Sequence, residues 1–161
     1  MELEATIDEL APRILAYCHG LTRDRALAED AAQDALAALV RRWRSKGKPQ
    51  SPAAFVFAIA RRRAIRALAK QRLLAPFFGT AAETLVTDAG PASESRSELA
   101  RVLRAVSRLP GRDRQALLLV AVAELDHAEA AGVLGIAPAA LKMRVYRARK
   151  RLATLLNGGS G

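Results

Sequence analysis

Apolar residues recur at alternating three- and four-residue spacing along most of this chain, which predicts helices nearly throughout. Ile7, Leu10, Ile14, Leu15 and Cys18 outline a first amphipathic helix that ends near Gly20. Asp24 can cap a second helix, with Leu27, Ala31, Ala35, Leu36, Leu39, Val40 and Trp43 on its apolar side. The polar stretch from Ser45 to Pro52 breaks the pattern with two prolines and a glycine. A third helix follows, expected to turn Phe55, Ile59, Ile65 and Leu68 inward. Periodicity then lapses between residues 73 and 98, where Pro76, Gly79, Gly90 and Pro91 mark a tether.

The pattern resumes toward the C-terminus in two pieces. Asp126-His127-Ala128-Glu129 reads as a capping box, an acceptor at the cap with a carboxylate three residues on. Val133 to Pro138 ends that short helix and starts another, since Gly135 suits a left-handed stop and Pro138 a first helical position. In the new helix Leu141, Val145, Ala148, Leu152 and Leu155 form one stripe, and Lys142, Arg144, Arg147, Arg149, Lys150 and Arg151 occupy the rest. Helix, tight turn and cationic helix is the layout of a helix-turn-helix reader of the DNA major groove.

Composition narrows the class. Hydrophobic residues make up 51% of the 161 residues and aromatics only 4%. Frequent alanine and few β-branched runs favour closely packed helices, so the expected fold class is all-α. The net charge of +10 implies a polyanionic partner. Charge is unevenly spread: residues 1–72 carry 14 Lys/Arg against 8 Asp/Glu, residues 73–98 carry 1 against 4, and residues 99–161 carry 11 against 4. Two basic helical domains, 1–72 and 99–156, joined by an acidic linker over 73–98 and closed by a flexible tail over 157–161, is the expected organisation.

Several chemistries are not expected. A lone cysteine, Cys18, cannot form an intrachain disulfide, and Cys18-His19 supplies too few ligands for a metal. His19 and His127 fall in separate domains, and no glycine-rich phosphate loop is present. No catalytic residue, cofactor or metal is therefore assigned. The acidic start is unlike a signal peptide and no apolar run reaches membrane-spanning length, so a soluble, cytoplasmic protein without membrane insertion is expected.

Three segments in order, Ala28 to Asp34, Phe55 to Arg61, and Leu109-Pro110 onward to Leu152, together resemble the extracytoplasmic-function (ECF) group of bacterial sigma factors. That resemblance implies a region 2-like three-helix domain and a region 4-like helix-turn-helix domain joined by a flexible linker, acting as the promoter-recognition subunit of RNA polymerase. By position, Glu29, Asp30, Gln33 and Asp34 would face the polymerase clamp helices. The loop from Lys46 through Lys48 to Ser51 would capture a flipped base of the minus-ten element, with Arg61, Arg62, Arg63 and Arg66 along the strand backbone. Lys142, Arg144, Arg147 and Arg149 would meet the minus-thirty-five element. The chain departs from the group where Ala139-Ala140 replaces a glycine-threonine pair, and where Arg62 and Arg66 replace an asparagine and an aspartate.

The expected partners are core RNA polymerase, promoter DNA and an anti-sigma factor that masks the polymerase-binding faces. Two other readings use the same residues: an autonomous helix-turn-helix regulator, and a sigma-like decoy that binds polymerase or a regulator without reading promoters. A repressor would need a dimer seam to match two half-sites, and no heptad pattern supplies one.

Overall fold

Helix α1 (Glu2–Thr22) runs through Gly20 and stops at Arg23, whose left-handed backbone (φ 52°) lets its N–H donate to His19 O at 2.8 Å. The computed structural model describes residues 1–78 and 94–158. Gly20 does not end the helix, as its sequence position suggested, because its role is steric. A Cβ there would sit 2.8 Å from Leu118 Cδ2, so the missing side chain lets another helix close on α1. Thr22 Oγ1 donates to Cys18 O at 2.9 Å, and Asp24 Oδ1 accepts from Leu27 N–H at 3.1 Å to cap α2 (Arg25–Lys46).

Helices α1, α2 and α3 (Pro52–Phe78) form a three-helix unit. Ala28, Ala31, Ala32 and Ala35 line the buried face of α2, and such small side chains allow short interaxial distances. On α3 the fully buried stripe is Val56, Phe57, Ala60 and Ala64; Phe55 and Ile59 pack from the side, and Ile65 and Leu68 are half-buried. Side-chain size favours burial of Phe55, Ile59, Ile65 and Leu68, but close packing instead buries Val56 and Phe57 with the small Ala60 and Ala64. Phe57 meets Tyr17 edge-on with ring centroids 5.5 Å apart.

The remaining described helices are α4 (Glu94–Ser107), α5 (Gly111–Ala121), α6 (His127–Leu134) and α7 (Pro138–Gly158). Among the described residues there is no strand. The acidic linker falls partly outside them; on its described flanks α3 continues to Phe78 and α4 begins at Glu94. The full capping box of Asp126 and Glu129, the left-handed Gly135 (φ 67°) and the start of α7 at Pro138 all follow the local signals.

One apolar cluster runs from Leu10 on α1 to Ala148 on α7, so both sets of helices share it. Gly20 on Leu118 is one contact of this junction. Around it, Arg13 Nε and Nη2 donate to Ala123 O at 2.9 and 2.5 Å, and Arg61 Nε donates to Gln115 Oε1 at 2.7 Å. Gly20→Leu is expected to overpack this junction at about 1–3 kcal/mol, and Leu118→Ala to leave a hole costing about 2–5 kcal/mol. Combined, the two changes exchange volume across one contact, so urea unfolding should show the double variant recovering part of the summed loss. Strict additivity would refute the contact.

Candidate nucleic-acid interface

Helix α7 separates its faces cleanly. Leu141, Val145 and Ala148 are buried, and Lys142, Met143, Tyr146, Arg149 and Lys150 are exposed. Lys150 Nζ lies 5.9 Å from the centroid of the Tyr146 ring, a cation–π pair at the surface. The helix thus presents exposed cations, a thioether and an aromatic ring, chemistry suited to phosphates and to thymine methyl groups. Neither Met143 nor Tyr146 was assigned to the site from sequence, where cations dominated the pattern. Ala139 and Ala140 are exposed at the start of the helix and offer no side-chain donor.

Arg144 is half-buried; Arg147 is exposed, and its Nη2 donates to Asp113 Oδ1 at 3.3 Å. Asp113 is buried in the first turn of α5, so Arg147 neutralises a carboxylate of its own domain. Asp113→Ala is expected to free Arg147 for phosphate, steepening the salt dependence of DNA binding by about one unit. Arg147→Ala should instead lower stability, because a buried carboxylate loses its partner. Fluorescence anisotropy over a salt series, paired with thermal unfolding, separates the two; a flat slope in Asp113→Ala would count against it.

The polar loop links α2 to α3. Gly47 takes φ 83°, and its carbonyl accepts from Arg42 Nη1. Lys46 is exposed, while Lys48 pairs with Glu2 and lies 5.8 Å over the Trp43 ring. Ser51 Oγ accepts from Ala54 N–H at 3.1 Å, capping α3, and donates to Glu129 Oε2 at 2.7 Å. That last bond reaches across to α6, where Glu129 also closes the capping box. Arg62 and Arg66 are exposed and form no ion pair among the described residues. Arg63 Nη1 lies 4.0 Å from Asp34, and Arg61 is held by Gln115.

On α2, Asp30 and Gln33 are exposed; Glu29 accepts from Arg25 Nε at 3.0 Å and Asp34 faces Arg63. These four form one polar surface beside the arginine row of α3. No sequence signal marked Glu129, Gln115 or Asp113 as partners of candidate residues, since each contact joins distant segments. Cys18 is buried, which pushes its thiol up to about 12 and keeps it protonated at neutral pH. Among the described residues no His, Cys, Asp and Glu cluster suits a metal, and no helix is long and apolar enough to cross a membrane.

Comparison with known proteins bears on this arrangement. Residues 6–73 match the Sigma-70 region 2 family and residues 99–152 match Sigma-70, region 4. The chain is 31% identical to the ECF RNA polymerase sigma factor RpoE of Cereibacter sphaeroides, covering 92% of this chain and 85% of that protein. It is 29% identical to the ECF RNA polymerase sigma factor SigM of Bacillus subtilis, covering 96% and 97%. Its fold is similar to the sigma factor RpoE in complex with the anti-sigma factor NepR from Bartonella quintana, with a TM-score of 0.74, 23% identity and 97% of each chain covered. CnrH in complex with the cytosolic domain of CnrY gives a TM-score of 0.71 at 22% identity, covering 97% of this chain and 88% of that one.

Proposed function

Because this chain belongs to the ECF group of sigma factors, we propose how its two charged surfaces share the work of promoter recognition. The protein is an alternative sigma factor, binding core RNA polymerase and directing promoter recognition, DNA melting and transcription initiation. It contributes binding surfaces and no bond chemistry of its own, and it acts in the cytoplasm where promoters are.

Residues 1–72 engage polymerase and the minus-ten element, residues 99–156 the minus-thirty-five element, and residues 73–98 connect them. Glu29, Asp30, Gln33 and Asp34 meet the clamp helices, and the exposure of Asp30 and Gln33 supports this. Arg62, Arg63 and Arg66 follow the strand backbone, and Lys46 to Ser51 receive the flipped base. Lys142 and Arg149 contact DNA from α7, with Arg144 at the edge of that face. The observation that carries the reading is the exposed cationic face of α7, set on a buried stripe behind a capped α6 and a left-handed Gly135.

In this structure Ser51 is bonded to Glu129 and Arg61 to Gln115, so engaging the minus-ten strand requires the junction between the helical sets to open. The exposed Leu15, Leu73 and Phe77 give an anti-sigma factor apolar surface to cover, and the sigma factor RpoE from Bartonella quintana is itself in complex with the anti-sigma factor NepR.

Run-off transcription with core polymerase on a promoter library tests the assignment. Specific initiation is expected, and Lys142→Ala with Arg149→Ala should weaken promoter binding and reduce the salt slope by about two. Failure to bind polymerase would favour the autonomous regulator; binding without initiation would favour the decoy.

A further inference from the structure

A recess of about 470 Å³ opens where the end of α1 meets α4 and the last turns of α7. Arg23, Arg101, Arg104 and Arg108 line it, and among the described residues no acidic one does. Arg101 and Arg104 lie three residues apart on α4, and Arg108 follows in the turn just after it. The opposite wall is apolar, formed by Leu155 and Leu156 with Ala105 beneath. The size falls in the range typical of small-molecule sites, roughly 300–1,000 Å³.

The arginines are organised. Arg23 Nη1 donates to Ser107 Oγ at 2.7 Å, and Ser107 in turn donates to Arg104 O at 2.6 Å. Arg101 Nη2 donates to Leu156 O at 2.6 Å, fixing it to the apolar wall. Among the described residues none of the four guanidiniums has a carboxylate partner. Arg114 stands behind them, donating to Ser107 O at 3.2 Å, with its buried Nε unbonded. Burial, and then the like charges of Arg72 and Arg23, lower its proton affinity.

A second observation is independent of charge. Arg23 ends α1 in the left-handed region, a conformation that favours glycine. In that cap position its side chain is directed to Ser107 at the recess. Converging unpaired guanidiniums suit phosphate oxygens, which they can grip in bidentate fashion. The leucine wall suits a flat organic body beside them. Duplex DNA would use a row of cations on a convex face, whereas this is a concavity with one apolar side.

We propose that this recess binds a nucleoside polyphosphate, its phosphates on Arg23, Arg104 and Arg108 and its nucleoside against Leu155 and Leu156. Since Arg23 belongs to the first set of helices and the rest to the second, the ligand bridges both and favours their packed arrangement.

Isothermal titration of the full chain at about 0.15 M salt, with ATP, GTP, the free nucleosides and inorganic tripolyphosphate, tests this directly and needs no polymerase. The expected result is saturable one-to-one binding of a nucleoside triphosphate, tighter than either the nucleoside or tripolyphosphate. Arg104→Ala with Arg108→Ala should weaken it at least about 10-fold, two bidentate contacts being lost. Arg41→Ala with Arg44→Ala removes the same charge elsewhere and should change it little; circular dichroism confirms that both variants fold. Absence of saturable binding, or equal losses in the two double variants, would overturn the proposal. So would tripolyphosphate binding as tightly as the nucleotide, which would leave the apolar wall without a role. Duplex DNA displacing the nucleotide with the same dependence on Arg104 and Arg108 would assign the recess to nucleic acid instead.

Discussion

Replacing Arg62, Arg63 and Arg66 together with alanine is expected to cut open-complex formation by about 100-fold at roughly 0.15 M salt, with polymerase binding retained. On a single strand each phosphate contact contributes about 0.7 to the slope of log affinity against log salt, so three contacts at that salt amount to just under two decades. Arg62 and Arg66 are exposed and carry no ion pair among the described residues, so neither gives up an internal partner. Arg63 faces Asp34 at 4.0 Å across solvent, a pair worth little by itself. Arg61 is left in place because Gln115 holds it. The measurement is single-round run-off transcription over a salt series, alongside a polymerase pull-down. Transcription within a few-fold of the parent, at an unchanged salt slope, would remove the arginine row from the strand path.

The largest effect on stability is expected at Phe57. Its side chain is fully buried, stacks edge-on with Tyr17, and lies 6.0 Å from the Arg13 guanidinium. Phe57→Ala should cost about 3–5 kcal/mol, a large share of the roughly 5–15 kcal/mol that holds a typical domain folded. The acidic surface of α2 and the arginines of α3 both rest on this core, so polymerase binding and strand contact should fall together. Phe57→Leu, which keeps most of the volume, should lose less than half as much. Urea unfolding followed by far-ultraviolet dichroism measures both. A loss below about 1 kcal/mol for Phe57→Ala, the level of an ordinary surface change, would mean that the ring is not central.

What could be read from the sequence was local. Asp24 as a cap, the Asp126–Glu129 box, Gly135 and Pro138 each depend on neighbours within four residues, and each stands where its pattern indicated. The stripe on α7 was also legible, because charge and apolarity divide sharply there. On α3 they do not: from Phe55 to Ala60 every residue is apolar, so periodicity could not select Val56, Phe57, Ala60 and Ala64 as the buried set. Gly20 looked like a stop signal because a glycine near a helix end usually is one; its contact with Leu118 lies far along the chain. The candidate site was legible as to residue type and helix face. Its pairings were not, since Arg61 with Gln115, Ser51 with Glu129 and Arg147 with Asp113 join segments that no spacing rule connects.

The bond from Ser51 to Glu129 has a consequence for the order of events during assembly. If the loop is available only after that bond and its neighbours break, association with polymerase and promoter includes a first-order step within the sigma factor itself. Stopped-flow traces should then give an observed rate that rises with polymerase concentration and levels off at the rate of that step. Ser51→Ala, which removes the donor to Glu129 and with it the acceptor that caps α3, should raise the plateau and the initial slope together.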